Sequence, residues 1–369
     1  MNDSAEVPVT RALPPQYSRV GAAEAVERAW TFPSDWYTDP VIFEREQERI
    51  FEREWQYVGP ESRLPKPGSY FTTKVGRLPV VIVRQKNGEL AAHLNVCPHR
   101  GNIVAQDCGE RRVFQCGYHG WTFDLDGRLR AAPRSDRESD FDTSDVRLRP
   151  LRVETWGPLI FVNADLGAQP LSATLGGLAD LVKERGFDLH SHPLRASRQF
   201  EIKCNWKVTL DNNTECYHCQ TVHPGFSKEY HVDADNYQIT AFPKSFTHLS
   251  PKHEESDSTS WDDFHINYLW PNFMVSARGN EYFYTYSYVP VDANTTMQYN
   301  DYFFPESYSE SDVEQAISDI GQIMREDWGI FEQVQIGLRS GMLAHGRLMP
   351  DNEQLLRQFQ RLVIDALEP

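Results

Sequence analysis

Behind Asp39-Pro40, a helix-capping residue followed by proline at the first helical position, Phe43, Ile50, Phe51 and Trp55 recur at roughly helical spacing. An amphipathic helix ending near Trp55 is expected. From Phe71 to about residue 162 the pattern shortens to β-rich runs such as Pro79-Val80-Val81-Ile82-Val83, with Asn87-Gly88 and Asp126-Gly127 as hairpin signals. That texture predicts a small antiparallel β domain. Past Pro170, a strand-like Phe200-Glu201-Ile202-Lys203 leads into a polar, helix-compatible stretch through His223, which Pro224-Gly225 stops. Residues 282–289 and 296–304 then read as paired strands, and 311–340 as one long helix. The elements predict an α+β fold: an arm and helix over 1–55, an all-β domain over 56–165, and a unit of antiparallel sheet with helices over 166–369.

A length of 369 residues exceeds what one hydrophobic core usually fills, which agrees with two main domains. The 37 Lys and Arg against 53 Asp and Glu leave a net charge of -16, which repels a phosphate backbone and argues against nucleic-acid binding. No apolar run is long enough to cross a bilayer, and Met1 to Pro15 lack a secretory signal, so the expectation is a protein of the cytoplasm, away from the membrane. The six cysteines accordingly read as metal ligands or buried thiols rather than a disulfide framework.

Two of them sit in Cys97-Pro98-His99-Arg100-Gly101 and Cys116-Gly117-Tyr118-His119-Gly120-Trp121, a C-x-H and a C-x-x-H separated by 16 residues. Two thiolates and two neutral imidazoles from two loops are the ligand set of a Rieske [2Fe–2S] cluster, the sulfurs on one iron and the nitrogens on the other. A tetrahedral zinc site would use the same atoms, but zinc spacing usually pairs Cys with Cys and His with His, whereas each loop here carries one of each. Cys108 reads as a small buried side chain.

The second constellation is Asp211-Asn212-Asn213-Thr214-Glu215-Cys216-Tyr217-His218-Cys219, followed by His223-Pro224. On a continuous helix Asp211, Glu215 and His218 share one face, and His223 falls at its end. Two imidazoles with one carboxylate form the facial triad of non-haem Fe(II) enzymes, which leaves positions open for O2 and substrate. Cys216 and Cys219 read as structural, because soft thiolates would favour zinc. The carboxylate is sought on the long helix, where Val313, Ile317, Ile320, Met324, Asp327, Phe331, Val334 and Leu338 follow steps of three and four. Asp327 interrupts that apolar stripe, and a core-facing carboxylate needs a cation, either iron or an arginine. Glu326 and Glu332 fall outside the stripe and read as solvated.

Together these motifs resemble the α subunit of Rieske non-haem iron oxygenases over nearly the whole chain. Respiratory Rieske proteins add a cysteine to each loop, which this sequence lacks. The resemblance implies a helix-grip catalytic domain, a head-to-tail homotrimer, and cluster ligands Cys97, His99, Cys116 and His119. It implies His218, His223 and Asp327 on a mononuclear Fe(II), Asn212 near that iron, and Glu215 bridging an iron ligand to a cluster ligand of the neighbouring subunit. Glu at the bridge, Trp206-Lys207 after Asn205, and Trp270-Pro271-Asn272-Phe273-Met274 resemble the branch of choline, glycine betaine and carnitine monooxygenases. That branch implies hydroxylation or oxidative N-demethylation of a small quaternary ammonium compound with O2. No G-x-G-x-x-G follows a strand, so NAD(P)H is used indirectly, through a separate flavin and iron–sulfur reductase. The alternatives are an aromatic-ring-hydroxylating dioxygenase, which gives a cis-diol, and a non-catalytic Rieske electron carrier, which leaves the second constellation unexplained.

Overall fold

The computed structural model describes residues 19–253 and 263–367; the stretch weighed above for a secretory signal, residues 1–15, lies outside them. Asp39 caps the helix Pro40–Glu46, its side chain accepting the Val41 amide, and a wider turn over Gln47–Phe51 continues it towards Trp55. This segment does not stand apart. Phe32, Trp36, Tyr37, Ile42, Ile50 and Phe51 share one core with residues of the C-terminal unit, among them Trp206, Tyr268, Phe331 and Phe359.

The β domain is built from β1 (Gln56–Pro60), β2 (Ser69–Val75), β3 (Leu78–Arg84), β4 (Leu90–Leu94), β5 (Cys108–Glu110), β6 (Phe114–Gln115), β7 (Thr122–Phe123), β8 (Leu129–Ala131), β9 (Pro150–Trp156) and β10 (Leu159–Asn163). Seven of these pair in the order β1-β10-β9-β4-β3-β2-β5, and β6-β7-β8 form a second, small sheet. Strand β3 explains the layering. Val81 and Val83 point into one apolar cluster, while Val80 and Ile82 point into another, so the strand's alternation fills both faces of the sheet. Cys108 corrects the expectation of a buried thiol: β5 is an edge strand, and the residue is exposed.

The C-terminal unit curls a sheet of β11 (Leu194–Ile202), β12 (Gln238–Ala241), β13 (Ser245–Ser250), β14 (Phe264–Leu269), β15 (Phe273–Arg278), β16 (Tyr282–Asp292) and β17 (Thr295–Phe303) around helices, in the order β11-β17-β16-β15-β14-β13-β12. Every pairing is antiparallel, as the sequence predicts. The long helix runs from Glu310 to Arg339, closed at its start by a Ser309/Asp312 capping box. Its predicted stripe is buried apart from Asp327, which is part-buried, and Val334, which is exposed; Gln335 is buried instead and accepts the Asn205 amide. A mixed cluster of Trp55, Trp156, Phe161, Leu178, Phe273 and Phe283 joins the two units, and Tyr57 donates to Asp301 at 2.7 Å across the same boundary. Among the described residues no helix is long and apolar enough to cross a membrane.

The short helix Trp206–Asn213 begins at an Asn205 cap and carries a buried polar network. Lys207 pairs with Glu46, both fully buried, and Trp206 Nε1 donates to Glu46 at 2.8 Å. One turn on, Asp211 accepts from Tyr37 Oη at 2.5 Å and from Gln360 at 3.3 Å. Here the sequence expectation fails: Asp211 faces this network and not His218. Burial pushes its carboxyl up to about 7, against the Tyr37 and Gln360 hydrogen bonds and the charge of Lys207, while Glu353 adds to the rise. A carboxyl raised above its unfolded value binds more protons folded than unfolded, so its contribution to stability is present in full below the ordinary value of 3.8 and is lost as pH climbs through about 7. Asp211→Asn therefore gains on the wild type between pH 5 and pH 7.5 in urea-unfolding midpoints; parallel midpoint curves count against the assignment.

Candidate active site

The tip of the β domain is made of two loops with one backbone plan. Cys97 accepts the Gly101 amide on its carbonyl at 2.9 Å, and Cys116 accepts the Gly120 amide at 3.0 Å. Both glycines have a φ of +75°, the left-handed conformation that lets each loop turn back after its histidine. Cys97 and Cys116 are buried, whereas His99 and His119 are exposed with ring centroids 4.6 Å apart. Trp121 stacks on His99 at 4.6 Å and 6°, and Tyr118 stacks on His119 at 3.8 Å. Burial raises the Cys116 thiol, but the Tyr118 and His119 amides, with the Asn102 side chain, outweigh it and bring the thiol below its ordinary value. Sulfur inside and imidazole outside suits a cluster whose two irons differ in ligand, with its nitrogen-bound end at the surface.

The second constellation is not one helix. The chain leaves helical conformation at Thr214, turns through Glu215–Tyr217, and re-enters a single turn over Cys219–Val222. Glu215 makes the turn: its carboxylate accepts the amides of Tyr217 and His218 and lies 2.6 Å from His218 Nδ1. Asp211, Glu215 and His218 thus do not share a helix face, because local carboxylate-to-amide bonds compete with the helical ladder. Cys216 and Cys219, read as structural, form a disulfide beside the cavity rather than remaining the free thiols expected of the cysteines as a set.

The Glu310–Arg339 helix brings Asp327 against this turn. Asp327 Oδ1 lies 3.0 Å from His223 Nε2 and 3.6 Å from His218 Nε2, and one ligand atom from each residue falls within 4.8 Å of the others. Glu326, read as solvated from its place on the helix, instead has Oε2 2.8 Å from His223 Nδ1. Glu332 is half-buried, with Oε1 3.4 Å from the Lys203 amide. Burial by itself lowers the His223 imidazole, yet Asp327 and Glu326 outweigh it and raise it above the ordinary histidine value. The pocket has an electrostatic demand for a cation, and each imidazole has its Nδ1 beside a carboxylate and its Nε2 turned towards Asp327. That is the arrangement expected around a metal held by histidine, with carboxylates fixing the rings from outside.

A cavity with an empty volume of about 670 Å³, mouth included, opens on this cluster. Its wall includes Tyr284, Tyr286 and Tyr288, which alternate on β16, with Phe226, Phe264 and Trp328. Among the described residues that line it, none is Lys or Arg. Asn212 lines it too, with a buried Oδ1 that has no partner among the described residues.

Comparison with known proteins supplies the lineage. A Rieske [2Fe-2S] domain model matches residues 54–155, and a ring hydroxylating alpha subunit (catalytic domain) model matches 188–368. The oxygenase subunit of carnitine monooxygenase from Acinetobacter baumannii is 36% identical over 349 residues, 91% of this chain and 94% of that protein. The chain belongs to the Rieske oxygenase α subunits. Within that family it falls in the branch of the chloroplastic choline monooxygenase of Beta vulgaris, 30% identical over 93% of this chain and 78% of that one. The quaternary ammonium Rieske monooxygenase CntA, solved with L-carnitine, superposes with a TM-score of 0.82 at 32% identity, covering 97% of this chain and 100% of its own. As a Rieske oxygenase, the protein is the terminal oxygenase of its system, with a Rieske cluster and a mononuclear iron as cofactors and reductase-supplied electrons for the use of O2.

Sequence reasoning missed Glu326, because helical spacing reports which face a residue starts from and not how far its side chain reaches. It also left the cavity's aromatics unassigned. The Tyr-x-Tyr-x-Tyr alternation over 284–288 was the available signal, since residues two apart on a strand share a face.

Proposed function

We propose that Cys97, His99, Cys116 and His119 hold the cluster, and that His218, His223 and Asp327 hold the mononuclear iron. Glu215 is the carboxylate through which electrons pass from the neighbouring subunit's cluster, and the substrate is a quaternary ammonium compound hydroxylated at a carbon bonded to its nitrogen. The observation that carries the substrate class is the cavity itself, an aromatic wall with no Lys or Arg among the described residues that line it, beside a cluster rich in carboxylates. Tyrosine and tryptophan faces attract a permanent cation, and a desolvated contact of that kind is worth about 2 kcal/mol. The relatives named for carnitine and choline support the same class.

The two metal groups, when bound, supply one-electron transfer and O2 activation. The protein's own residues do the rest. Glu215 and Glu326 fix the ring orientations of His218 and His223 through Nδ1, so both Nε2 atoms converge with Asp327. Tyrosine rings hold the ammonium head so that one carbon next to nitrogen faces this point. One oxygen atom enters a C–H bond of that carbon and the other leaves as water, with two electrons from the reductase and two protons. The resulting carbinol splits: its hydroxyl proton leaves to solvent, the O–H electrons form the C=O bond, and the C–N bond electrons stay on nitrogen. An N-methyl carbon gives formaldehyde, and a chain carbon gives trimethylamine and an aldehyde.

Glu215 is nearly buried, while Tyr217 beside it is exposed, as are Tyr118 and His119 at the cluster tip. Such surfaces fit a head-to-tail homotrimer in which one subunit's tip meets the next subunit's Glu215 turn, and CntA is itself described in terms of inter-subunit electron transfer. The proposed setting is the cytoplasm.

With a reductase, NADH and quaternary ammonium substrates, formaldehyde or trimethylamine is released in step with NADH oxidation; a cis-diol from an aromatic ring, with no amine turnover, refutes the substrate class. Asp327→Ala loses the mononuclear iron and at least 100-fold in turnover while keeping the visible spectrum of the cluster. Retention of one iron beyond the cluster removes Asp327 from the site. Glu215→Gln retains both metals but slows reduction of the iron at least tenfold in single-turnover experiments; an unchanged rate rejects the bridge.

A further inference from the structure

Most polar atoms of the cavity answer one another. Tyr288 Oη accepts from Asn213 at 3.1 Å, Tyr286 Oη pairs with Ser276 at 3.0 Å, and the two histidines of the cluster are held by carboxylates. Among the described residues, two fully buried atoms of the lining do not: His248 Nε2 and Asn212 Oδ1 have no hydrogen-bond partner there.

His248 is placed there by strand geometry. On β13, Phe246, His248 and Ser250 share a face, and the register sets Ile266 opposite His248 and Phe264 opposite Ser250. His248, Ser250, Ile266 and Phe264 all line the cavity. Phe246 stacks on Tyr268 at 4.2 Å in the core, which fixes the strand, and the ring of Tyr237 meets His248 edge-on at 5.0 Å. The side chain is only 3% exposed. Burial, with the nearby His218 adding to it, pushes its imidazole down to about 3, so the ring is neutral and offers one donor and one acceptor. A neutral, rigid, unpartnered imidazole in a core position destabilises the fold unless something completes its hydrogen bond. The cluster does not need it, since His218 and His223 already face Asp327 and have their own carboxylates.

We infer that His248 is a substrate-binding residue: it hydrogen-bonds the oxygen-bearing end, a hydroxyl or a carboxylate, of a quaternary ammonium substrate whose cationic head lies on the tyrosine wall. Asn212 Oδ1 is a second contact for the same end where that end is a hydroxyl, because it can only accept. The inference rests on the quaternary ammonium reading above and adds to it the half of the substrate that the aromatic wall cannot recognise. With no Lys or Arg among the described residues lining the cavity, specificity for that end comes from neutral hydrogen bonds, whose geometry separates an oxygen from a methyl of similar size.

The test uses the metal-loaded enzyme and three probes: choline, glycine betaine and n-propyltrimethylammonium, in which a methyl replaces the choline hydroxyl. Dissociation constants are measured by calorimetry. Wild type binds at least one oxygen-bearing probe tenfold or more tighter than n-propyltrimethylammonium, and the tighter of choline and glycine betaine identifies the oxygen function. His248→Leu weakens that probe at least tenfold and leaves n-propyltrimethylammonium within twofold, with cluster spectrum and iron content unchanged. His248→Gln, which keeps a neutral hydrogen-bonding group, recovers part of the loss, and the effect on turnover appears in KM before kcat. Tyr237→Phe leaves all three constants unchanged, since the ring is a neighbour of His248 and not its partner.

Equal wild-type binding of the oxygen-bearing probes and n-propyltrimethylammonium overturns the His248 assignment even if the leucine variant fails to fold. Equal losses for all probes in His248→Leu do the same. Failure of wild type to bind any of the three overturns the substrate class instead, and this proposal with it.

Discussion

The arrangement of the C-terminal unit depends on one constraint: carboxylates and imidazoles are gathered in a cavity where charge is expensive. Asp327 sits on a helix stripe that is otherwise apolar, within reach of two imidazoles that each lean on a further carboxylate. Inside a protein such a cluster is stable only if the excess negative charge is met, by protons or by a metal. The rise of the His223 imidazole is the proton's answer to that demand, and a divalent iron is the stronger one. Everything that brings Asp327, Glu326, Glu215, His218 and His223 together is therefore under the same pressure, from the capping box that starts the long helix to the turn that Glu215 closes.

That pressure explains why the cluster is assembled from elements far apart in sequence. The turn at 214–218 cannot be stiff by itself, because it gives up helical hydrogen bonds for carboxylate-to-amide bonds. Its rigidity comes from the preceding helix, anchored by Lys207, Glu46 and Trp206, and from Tyr37 and Gln360 closing on Asp211. The N-terminal helices belong to this scaffold, which is why Phe32, Trp36 and Tyr37 are buried among residues of the C-terminal unit. A buried ion pair of this sort adds little net stability compared with an apolar replacement, but removing one partner is severe. Its value here is geometric, since it fixes where the turn begins.

Much of this was legible in the sequence, and the boundary is physical. The cluster loops were readable because their chemistry is local: C-x-H and C-x-x-H place sulfur and nitrogen within a few bonds of each other, and Gly101 and Gly120 announce the turns. Asp327 was readable because a charge in an apolar stripe contradicts its surroundings. Asp211, Cys108, Cys216 with Cys219, and Glu326 were not. Each depends on a partner supplied by tertiary structure: Tyr37 for Asp211, a sheet edge for Cys108, a broken helix for the cysteines, and His223 for Glu326. Helical periodicity assumes a continuous helix, and the Glu215 turn is the point where that assumption fails.

The same distinction separates what the family pattern conveys from what the cavity adds. Motifs identify the metals because any member must hold them in one way, whereas the substrate is selected by residues whose spacing carries no common signature. Tyr284, Tyr286 and Tyr288 reach the cavity through strand alternation on β16, and His248 and Ser250 through alternation on β13. One strand supplies π faces and the other supplies neutral hydrogen-bonding groups. In the reading proposed above, a substrate with a cationic head and an oxygen at the other end satisfies both strands at once.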